Sequence, residues 1–155
     1  MAKNLELLIN PKCVDELIEK LCKSPFPSHM GMKLVSIDID SAIVKLEIGN
    51  CHLQPFGIVH GGVIATLIDT ATFWSAFMRI PQDAGLVNID LKLNYLKSIN
   101  SGVLTAEGRT IRAGKTISYS EASVFDENRE LIAHGTSSLM TLKGKGLSMK
   151  HSKFL

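Results

Sequence analysis

The 155-residue sequence is short of net charge, of aromatic residues and of cysteine pairs. Seventeen basic against fifteen acidic residues leave a formal charge of +2, and no basic face interleaved with aromatic residues is visible, so little favours nucleic-acid binding. The three cysteines match no CxxC spacing, and their odd number leaves no closed set of disulfides. This favours a reducing compartment, and we expect a cytoplasmic protein.

Apolar residues, by contrast, are abundant in this chain. They make up 45% of it against 21% charged residues, which excludes a disordered chain because enough apolar surface is present to drive collapse. The length fits one domain of ordinary size. The apolar fraction is also high enough to suggest an interface between subunits.

One apolar stretch, residues 56–78, is long enough to span a bilayer. Asp69 lies near its middle, where insertion of a carboxylate would cost about 2.5 to 3.5 kcal/mol, so we interpret the stretch as a buried helix. The N-terminus has no basic stretch followed by an apolar core, and we expect neither a signal peptide nor a transit peptide. The last thirteen residues hold four lysines and no acid, so the basic charge is concentrated in a tail.

The first third of the chain predicts a helix followed by a pair of strands. Apolar residues over 5–21 recur at helical spacing, Pro11 can open the helix after Asn10, and the prolines at positions 25 and 27 stop it. Two alternating runs, over residues 35–39 and 44–48, are separated by a short polar turn. They read as two neighbouring strands.

The rest of the chain predicts one long helix and then strands. Residues 63–78 are apolar on nearly all sides of a helix, which is typical of a helix wrapped by other structure. After Pro81, alternation predicts four strands joined by short turns and therefore antiparallel, over residues 87–95, 103–112, 116–125 and 130–142. A curved antiparallel sheet is the available partner for the helix, which predicts an α+β fold.

Asp69 is the residue that this pattern singles out for chemistry. A carboxylate in the middle of an apolar helix, with no cation nearer in sequence than Arg79, is costly unless it is paired or its pKa is shifted, and such groups cluster at functional sites. The other interpretation places Asp69 on a solvated stripe of the helix, beside Thr66, Thr70 and Thr72. The pattern by itself leaves both open.

The pair Gly61-Gly62 at the start of the long helix is the second candidate feature. Without side chains, a ligand oxygen can approach the free N–H groups of the first turn, where the helix dipole favours developing negative charge. The alternative is that the glycines only allow a tight entry into a crowded helix. Gly61 and Asp69 are about 12 Å apart along one helix, so two antiparallel copies would be needed to bring them to one carbonyl.

Four segments together carry a resemblance to a known family: residues 54–62 (QPFGIVHGG), 67–69 (LID), 88–91 (NIDL) and Tyr95-Leu96. They resemble the hotdog-fold acyl-CoA thioesterases of the phenylacetate-degradation (PaaI-like) type. The resemblance covers about residues 33–142 and implies a long helix wrapped by a six-stranded antiparallel sheet. It also implies dimers that commonly pair into a homotetramer.

With this resemblance, we expect a single hotdog domain over residues 1–155. Its parts are an N-terminal helical segment over residues 1–30, the core over residues 33–142 and a basic tail over residues 143–155 for which a flexible arrangement is open.

The resemblance also assigns roles to individual residues. It implies that Asp69 is the catalytic acid, acting as base toward water or as nucleophile, that the Gly61 N–H polarises the thioester carbonyl, and that His60 supports that loop. Gln54 stands where this type usually has Asn, and Asn88 stands where Ser or Thr often orients water. Gln is usual in the related hydroxybenzoyl-CoA type, whose acid is Glu, so the acyl preference stays open.

Further predictions concern the substrate-binding residues and the alternative functions. The predicted substrate-binding residues are Gly62, Thr70, Phe73, Arg112 and Lys115, the last two as contacts for CoA phosphates or as merely solvated turn cations. No metal spacing is present and no cofactor is expected, because coenzyme A is part of the substrate. The alternative to an acyl-CoA thioesterase is a non-catalytic hotdog protein that binds acyl-CoA. A dehydratase on the same fold usually carries a His-based motif that is not matched here.

Overall fold

The computed structural model describes residues 8–155, in which three α-helices pack with one antiparallel sheet. The helices are α1 (Pro11–Lys23), α2 (Pro25–Met30) and α3 (Gly61–Phe77), and a short 3-10 turn covers Asn50–His52. The strands are β1 (Met32–Asp38), β2 (Ser41–Glu47), β3 (Gly85–Asn88), β4 (Lys92–Tyr95), β5 (Val103–Arg112), β6 (Ile117–Phe125) and β7 (Leu131–Leu142). Residues 5–7 of the predicted first helix lie outside the described range.

Helix α1 begins where the sequence predicts it to begin. The Asn10 side chain accepts a hydrogen bond from the Lys12 N–H at 3.1 Å, and Pro11 occupies the first helical position, where its missing N–H costs nothing. The buried face of α1, formed by Cys13, Leu17 and Leu21, packs on β1. The prolines after residue 24 do more than end α1, since Pro25 starts α2 at its own first position.

The β1–β2 hairpin differs from the predicted alternation by one residue in its first strand. A bulge between Leu34 and Ser36 reverses the faces, so that Leu34 and Ile37 are buried while Val35 is 47% exposed. The predicted alternation grouped Val35 with Ile37, but the two face opposite sides, because the extra residue of a bulge breaks the period of two. The hairpin turns at Asp40, whose φ of 65° is left-handed.

The sheet has the order β1-β2-β5-β6-β7-β3, with β4 also pairing with β7. Neighbouring strands are antiparallel throughout, and Val44, Ala106 and Val124 face one another across three of them as fully buried residues. Since β3 and β4 pair with successive parts of β7, they occupy one position in the sheet. The predicted architecture, a long helix wrapped by about six antiparallel strands, is confirmed.

The strand predicted over residues 87–95 is interrupted at residues 89–91. There the Asp90 side chain accepts a hydrogen bond from the Ser138 N–H at 2.8 Å, and the Ser137 hydroxyl donates to the Asp90 carbonyl at 2.7 Å. Beyond the bond from the Ile89 N–H to the Ser138 carbonyl, these side-chain bonds take the place of backbone pairing, which resumes at Lys92. The prediction of one continuous strand was wrong because the alternation of apolar and polar residues gives no sign of side-chain bonds that take the place of backbone pairing.

Helix α3 is enclosed by the concave face of the sheet. Ten of its seventeen residues are buried, and it packs against β1, β2, β3, β5, β6 and β7, while Tyr95 of β4 contacts its first residue. Helix α3 and the sheet lie very near each other at Gly108 of β5, where an added Cβ would lie 2.1 Å from the Ala71 carbonyl oxygen. Only glycine allows the sheet to lie this near the helix. Within residues 8–155, no helix combines the length and the apolar character needed to cross a bilayer.

The basic tail, for which a flexible arrangement was open, is tied to the fold at several points. Its Lys153 side chain is 4% exposed and donates from Nζ to the carbonyl oxygens of Phe77 at 2.6 Å and Ile80 at 2.9 Å. The Lys153 carbonyl accepts from the Asn10 N–H, and Phe154 forms a β-bridge with Ile9. The tail therefore packs between α1 and the end of α3, where it satisfies carbonyls that the helix leaves without partners.

Candidate functional site

The first turn of α3 leaves a single N–H open. His60 is the N-cap: its Nδ1 accepts from the Gly62 N–H at 2.8 Å, and its carbonyl accepts from the Val63 N–H at 2.9 Å. The Gly61 N–H has no acceptor within residues 8–155. Of the two glycines, Gly61 has an N–H without a partner among residues 8–155, whereas the Gly62 N–H is already engaged. The role of Gly61 towards a carbonyl stays a prediction. His60 accepts at Nδ1, so its neutral ring carries the proton on Nε2.

Both glycines are required by side chains of the protein itself. A Cβ on Gly61 would lie 2.9 Å from Cζ and Oη of Tyr95, and a Cβ on Gly62 would lie 2.9 Å from Nδ1 of His60. The sequence analysis explained the pair by the approach of a ligand or by a tight helix entry. The structure adds a specific cause, which is that the positions of two side chains are filled by Tyr95 and His60.

Gln54 lies beside this helix end with one half of its amide engaged. Its Oε1 accepts from the Phe56 N–H at 2.7 Å, which fixes the turn that passes through Gly57 at a φ of 77°. Because a backbone N–H identifies the oxygen, the Nε2 group faces away from this bond, and it has no acceptor among the described residues. Gln54, Gly61 and Tyr95 line a pocket of about 420 Å³. The residue with the unpaired N–H and the residue with the unpaired amide group thus line the same pocket.

Asp69 is a half-buried carboxylate on α3. It forms no ion pair, and its carboxylate accepts no hydrogen bond, in the part of the chain that the structure describes. Burial alone raises its pKa above the usual value. An unpaired carboxylate with this environment is poised to take a proton nearer neutral pH than an ordinary aspartate is.

Asn88 ties the end of β3 to the helix at the level of Asp69. Its Nδ2 donates to the Ser137 hydroxyl at 2.9 Å and lies 3.3 Å from the Asp69 carbonyl oxygen. The Thr72 hydroxyl donates to the same carbonyl at 2.9 Å. The structure thus places Asn88 next to the backbone of Asp69, where it positions this part of α3 against the sheet.

The two halves of the predicted site lie apart in one chain. Gly61 and Asp69 are eight residues apart on α3, which is about 12 Å along the axis of a straight helix. Gln54 and Tyr95 accompany Gly61, and Asn88 accompanies Asp69. The chain does not bring a polarising donor and the carboxylate to one atom, so the predicted site with a second copy stays a prediction.

The remaining predicted substrate residues are spread along the molecule. Thr70 and Phe73 are half-buried on α3, and the Phe73 ring packs edge-on against Trp74 at 5.1 Å between centroids. Arg112 and Lys115 are exposed around the β5–β6 turn. That turn lies towards the C-terminal end of α3, as the 3.1 Å contact between the Ser75 and Thr110 hydroxyls indicates. Within one chain, the two cations therefore do not reach Gly61.

Two other features complete the site. His52 is 5% exposed, accepts at Nδ1 from the Gly49 N–H at 2.8 Å and contacts the Met30 carbonyl through Nε2, so both of its ring nitrogens are engaged within the fold. Tyr95, in contrast, received no role from the sequence although its ring and hydroxyl reach Gly61. The alternating pattern of residues 87–95 placed Tyr95 among the apolar residues of a strand, and its hydroxyl was the only local sign of a further role. Among the described residues, no cluster of His, Cys, Asp and Glu could hold a metal ion.

Comparison with known proteins agrees with this geometry. The thioesterase superfamily matches residues 56–133. A 1,4-dihydroxy-2-naphthoyl-CoA hydrolase of Listeria monocytogenes is 32% identical over 103 residues, which are 66% of this chain and 84% of that protein. A solved thioesterase of Haemophilus influenzae has a TM-score of 0.80 at 23% identity, covering 94% of this chain and 99% of its own. A thioesterase variant of Pseudomonas aeruginosa has a TM-score of 0.77 at 18% identity, covering 83% and 93%.

A long helix inside a curved antiparallel sheet is the arrangement of the hotdog fold. The chain belongs to the thioesterase superfamily, whose match spans half of it. The two solved structures are below 25% identity and show the fold. Membership of the superfamily supports thioester hydrolysis as the chemistry, while the phenylacetate-degradation type stays a prediction.

Proposed function

We propose that this protein is an acyl-CoA thioesterase whose site is completed by two copies of the chain. The name of the Listeria relative, a hydrolase of an aromatic acyl-CoA, supports CoA thioesters as the substrate class. The three free cysteines agree with a reducing compartment, and the proposed location is the cytoplasm. A homodimer that pairs into a tetramer is part of the proposal, because one chain separates the two halves of the site.

The Asp69 carboxylate is the observation that carries this proposal. Its pKa is raised by burial, and within residues 8–155 nothing neutralises it, so it costs stability without any structural return. A protein that only binds acyl-CoA would gain nothing from such a group. A hydrolase needs it, because a carboxylate with a raised pKa accepts a proton from water or attacks a thioester.

In the proposed reaction, the thioester carbonyl oxygen accepts hydrogen bonds from the Gly61 N–H and from Nε2 of Gln54. Both donors are open and line one pocket, and the dipole of α3 adds to the field at its N-terminus. Asp69 of the partner subunit then either removes a proton from the attacking water or attacks the carbonyl carbon itself. If Asp69 acts as base, the proton that it takes from water passes to the sulfur as the carbon–sulfur bond breaks. If Asp69 attacks, cleavage of the carbon–sulfur bond leaves an anhydride between the acyl group and Asp69, and water then hydrolyses this anhydride, which restores Asp69 and supplies the proton for the thiol. In both routes CoA leaves as the thiol and water supplies one oxygen of the free acid.

The remaining predicted residues have supporting parts in this scheme. Asn88 holds the helix at Asp69, and His60 engages the Gly62 N–H so that the Gly61 N–H is the donor left for the substrate. Thr70 and Phe73 lie on the same helix and are proposed to line the acyl site. Arg112 and Lys115 are proposed to meet the CoA phosphates of a site on another subunit.

The test is release of free thiol from a panel of aromatic and aliphatic acyl-CoAs by the unaltered protein and by Asp69→Asn. We expect turnover of at least one ester, and a loss in kcat of about 1,000-fold or more in the variant, as for removal of other essential catalytic groups. Asp15→Asn, an exposed acid on α1, is the matched control and should keep full activity. Binding of acyl-CoAs without turnover by either protein would favour the non-catalytic alternative.

A further inference from the structure

Tyr95 reaches from the sheet to the first turn of the long helix. It is the last residue of β4 and pairs with Ala133 of β7, so its backbone is fixed in the ladder. Its hydroxyl donates to the Gly61 carbonyl oxygen at 3.1 Å across 34 residues of sequence. The side chain is 57% exposed, which is unusual for a group that holds two elements together.

The ring of Tyr95 also fills the space beside the Gly61 α-carbon. A Cβ at that position would lie 2.9 Å from both Cζ and Oη and 3.2 Å from Cε1. The contact is therefore made by the ring as well as by the hydroxyl. Gly61 and Tyr95 also line the pocket that contains Gln54, which places Tyr95 at the wall of the proposed carbonyl site.

The direction of the Gly61 N–H depends on the peptide that joins His60 to Gly61. On the His60 side, the peptide chain is held by bonds from the His60 N–H to the His52 carbonyl and from the Gly62 N–H to His60 Nδ1, each 2.8 Å long. On the Gly61 side, Tyr95 supplies the contact that links this turn to β4. Displacement of a catalytic group by about 1 Å can cost two orders of magnitude in rate, so this contact bears on catalysis.

We propose that Tyr95 is a positioning residue that orients the Gly61 N–H towards the thioester carbonyl. It acts through Gly61 and does not itself touch the reacting atoms. The hydroxyl fixes the first turn of α3 against β4, and the ring keeps the α-carbon of Gly61 from shifting into the pocket. This role rests on the proposed function, since it concerns the same donor.

The experiment compares Tyr95→Phe with Tyr119→Phe in the full-length protein. The chain has only these two tyrosines, and Tyr119, on the outer face of β6, makes no side-chain hydrogen bond within the described residues. For Tyr95→Phe we expect kcat to fall about tenfold, KM to change less than about twofold, and Tm to stay within about 2 °C, because the ring still packs. Tyr119→Phe should match the unaltered protein in all three.

A second readout does not depend on turnover. With ¹⁵N-glycine labelling, the amide signals of Gly61 and Gly62 should shift in Tyr95→Phe and stay in place in Tyr119→Phe. Unmoved signals, or an unchanged kcat, would overturn the positioning role. If the unaltered protein hydrolyses none of the acyl-CoAs, the proposed function fails, and the amide signals still decide whether Tyr95 orients the first turn.

Discussion

The two ends of α3 leave backbone groups of opposite kinds unsatisfied, N–H donors at the start and carbonyl acceptors at the end, and the chain treats them differently. At the N-terminal end, the Gly61 N–H has no acceptor within residues 8–155, and Gly61 lines a pocket together with Gln54. At the C-terminal end, the carbonyl oxygens of Phe77 and Ile80 accept two hydrogen bonds from the buried ammonium of Lys153. The ammonium also lies 4.0 Å from the centroid of the Phe77 ring.

This difference separates the end of α3 that the chain itself closes from the end to which the proposed function assigns a ligand. A helix C-terminus attracts cations, and here the chain supplies one from its own tail, packed to 4% exposure. A helix N-terminus attracts negative charge, and the described residues place no acidic side chain in the first turn of α3. The Gly61 N–H at this end is thus left without a partner among residues 8–155, and the proposed function assigns it to the substrate.

Among changes at the two ends of α3, the largest effect is expected from substituting Gln54 at the open N-terminal end. Gln54→Glu keeps an oxygen for the Phe56 N–H and replaces the open Nε2 donor with an acceptor, so the loop survives while the proposed contact to the carbonyl is lost. We expect kcat to fall about 100-fold, as for loss of one oxyanion donor. Gln54→Ala should lose a similar amount, with the loop less ordered as well. If Gln54→Glu keeps activity near that of the unaltered protein, the Gln54 amide takes no part in the reaction.

The closed end can be broken with Lys153→Met, which keeps much of the apolar stem and removes the ammonium. Two buried carbonyl groups lose their donor, and we expect the free energy of unfolding to fall by about 2 kcal/mol in urea titrations. Lys150→Met, at an exposed position of the same tail, is the control and should change stability little. Since the change lies at the opposite end of α3 from Gly61, kcat per folded molecule should stay within about threefold. A loss of kcat without a loss of stability would contradict the division of roles.

The smallest expected effect is on stability and concerns Asp69, which lies between the two ends of α3. Burial raises the pKa of this carboxyl in the folded state, so folding favours its protonated form. Any stability that this provides is complete below the unfolded pKa and is lost as pH rises through the raised folded pKa. Asp69→Asn should therefore be more stable than the unaltered protein at pH 7, by less than about 1 kcal/mol because solvent screens the half-buried group.

The same measurement repeated near pH 3 should show no advantage for Asn. The raised pKa should also place the acid limb of the kcat/KM profile above the usual range of an aspartate. The contrary result is a stability difference, variant minus unaltered protein, that is lower at pH 7 than at pH 3. It would show that the carboxylate has a structural partner, and that it is not kept for chemistry at the expense of stability.

Much of the fold could be predicted because periodicity and turn chemistry are local. The all-apolar helix, the strand alternation and the Asn10-Pro11 start each depend on a few neighbouring residues. The break at residues 89–91 could not be predicted in this way. It depends on Asp90 bonding to Ser138, 48 residues further along, and alternation carries no information about that contact.

The candidate site divides along the same line. Asp69 was visible because a carboxylate among apolar residues is conspicuous, and Gly61 because an N-terminal glycine pair precedes a long helix. Tyr95 was not visible as a partner of Gly61, since its alternation fitted a buried strand. The closed end was missed for a related reason: Lys153 reads as one of four tail lysines, and nothing local marks it as buried.

By itself, the sequence determined most of the elements, the wrapped character of α3 and the chemistry available at each position. Only the tertiary structure decided that β3 and β4 are separate, that Tyr95 lies on Gly61, and that Lys153 closes the far end of the helix. The physical reason is the range of the interactions. Backbone preference and apolar periodicity act over a few residues, whereas the contacts to Gly61 and Phe77 join residues 34 and 76 positions apart and form only when the sheet closes around α3.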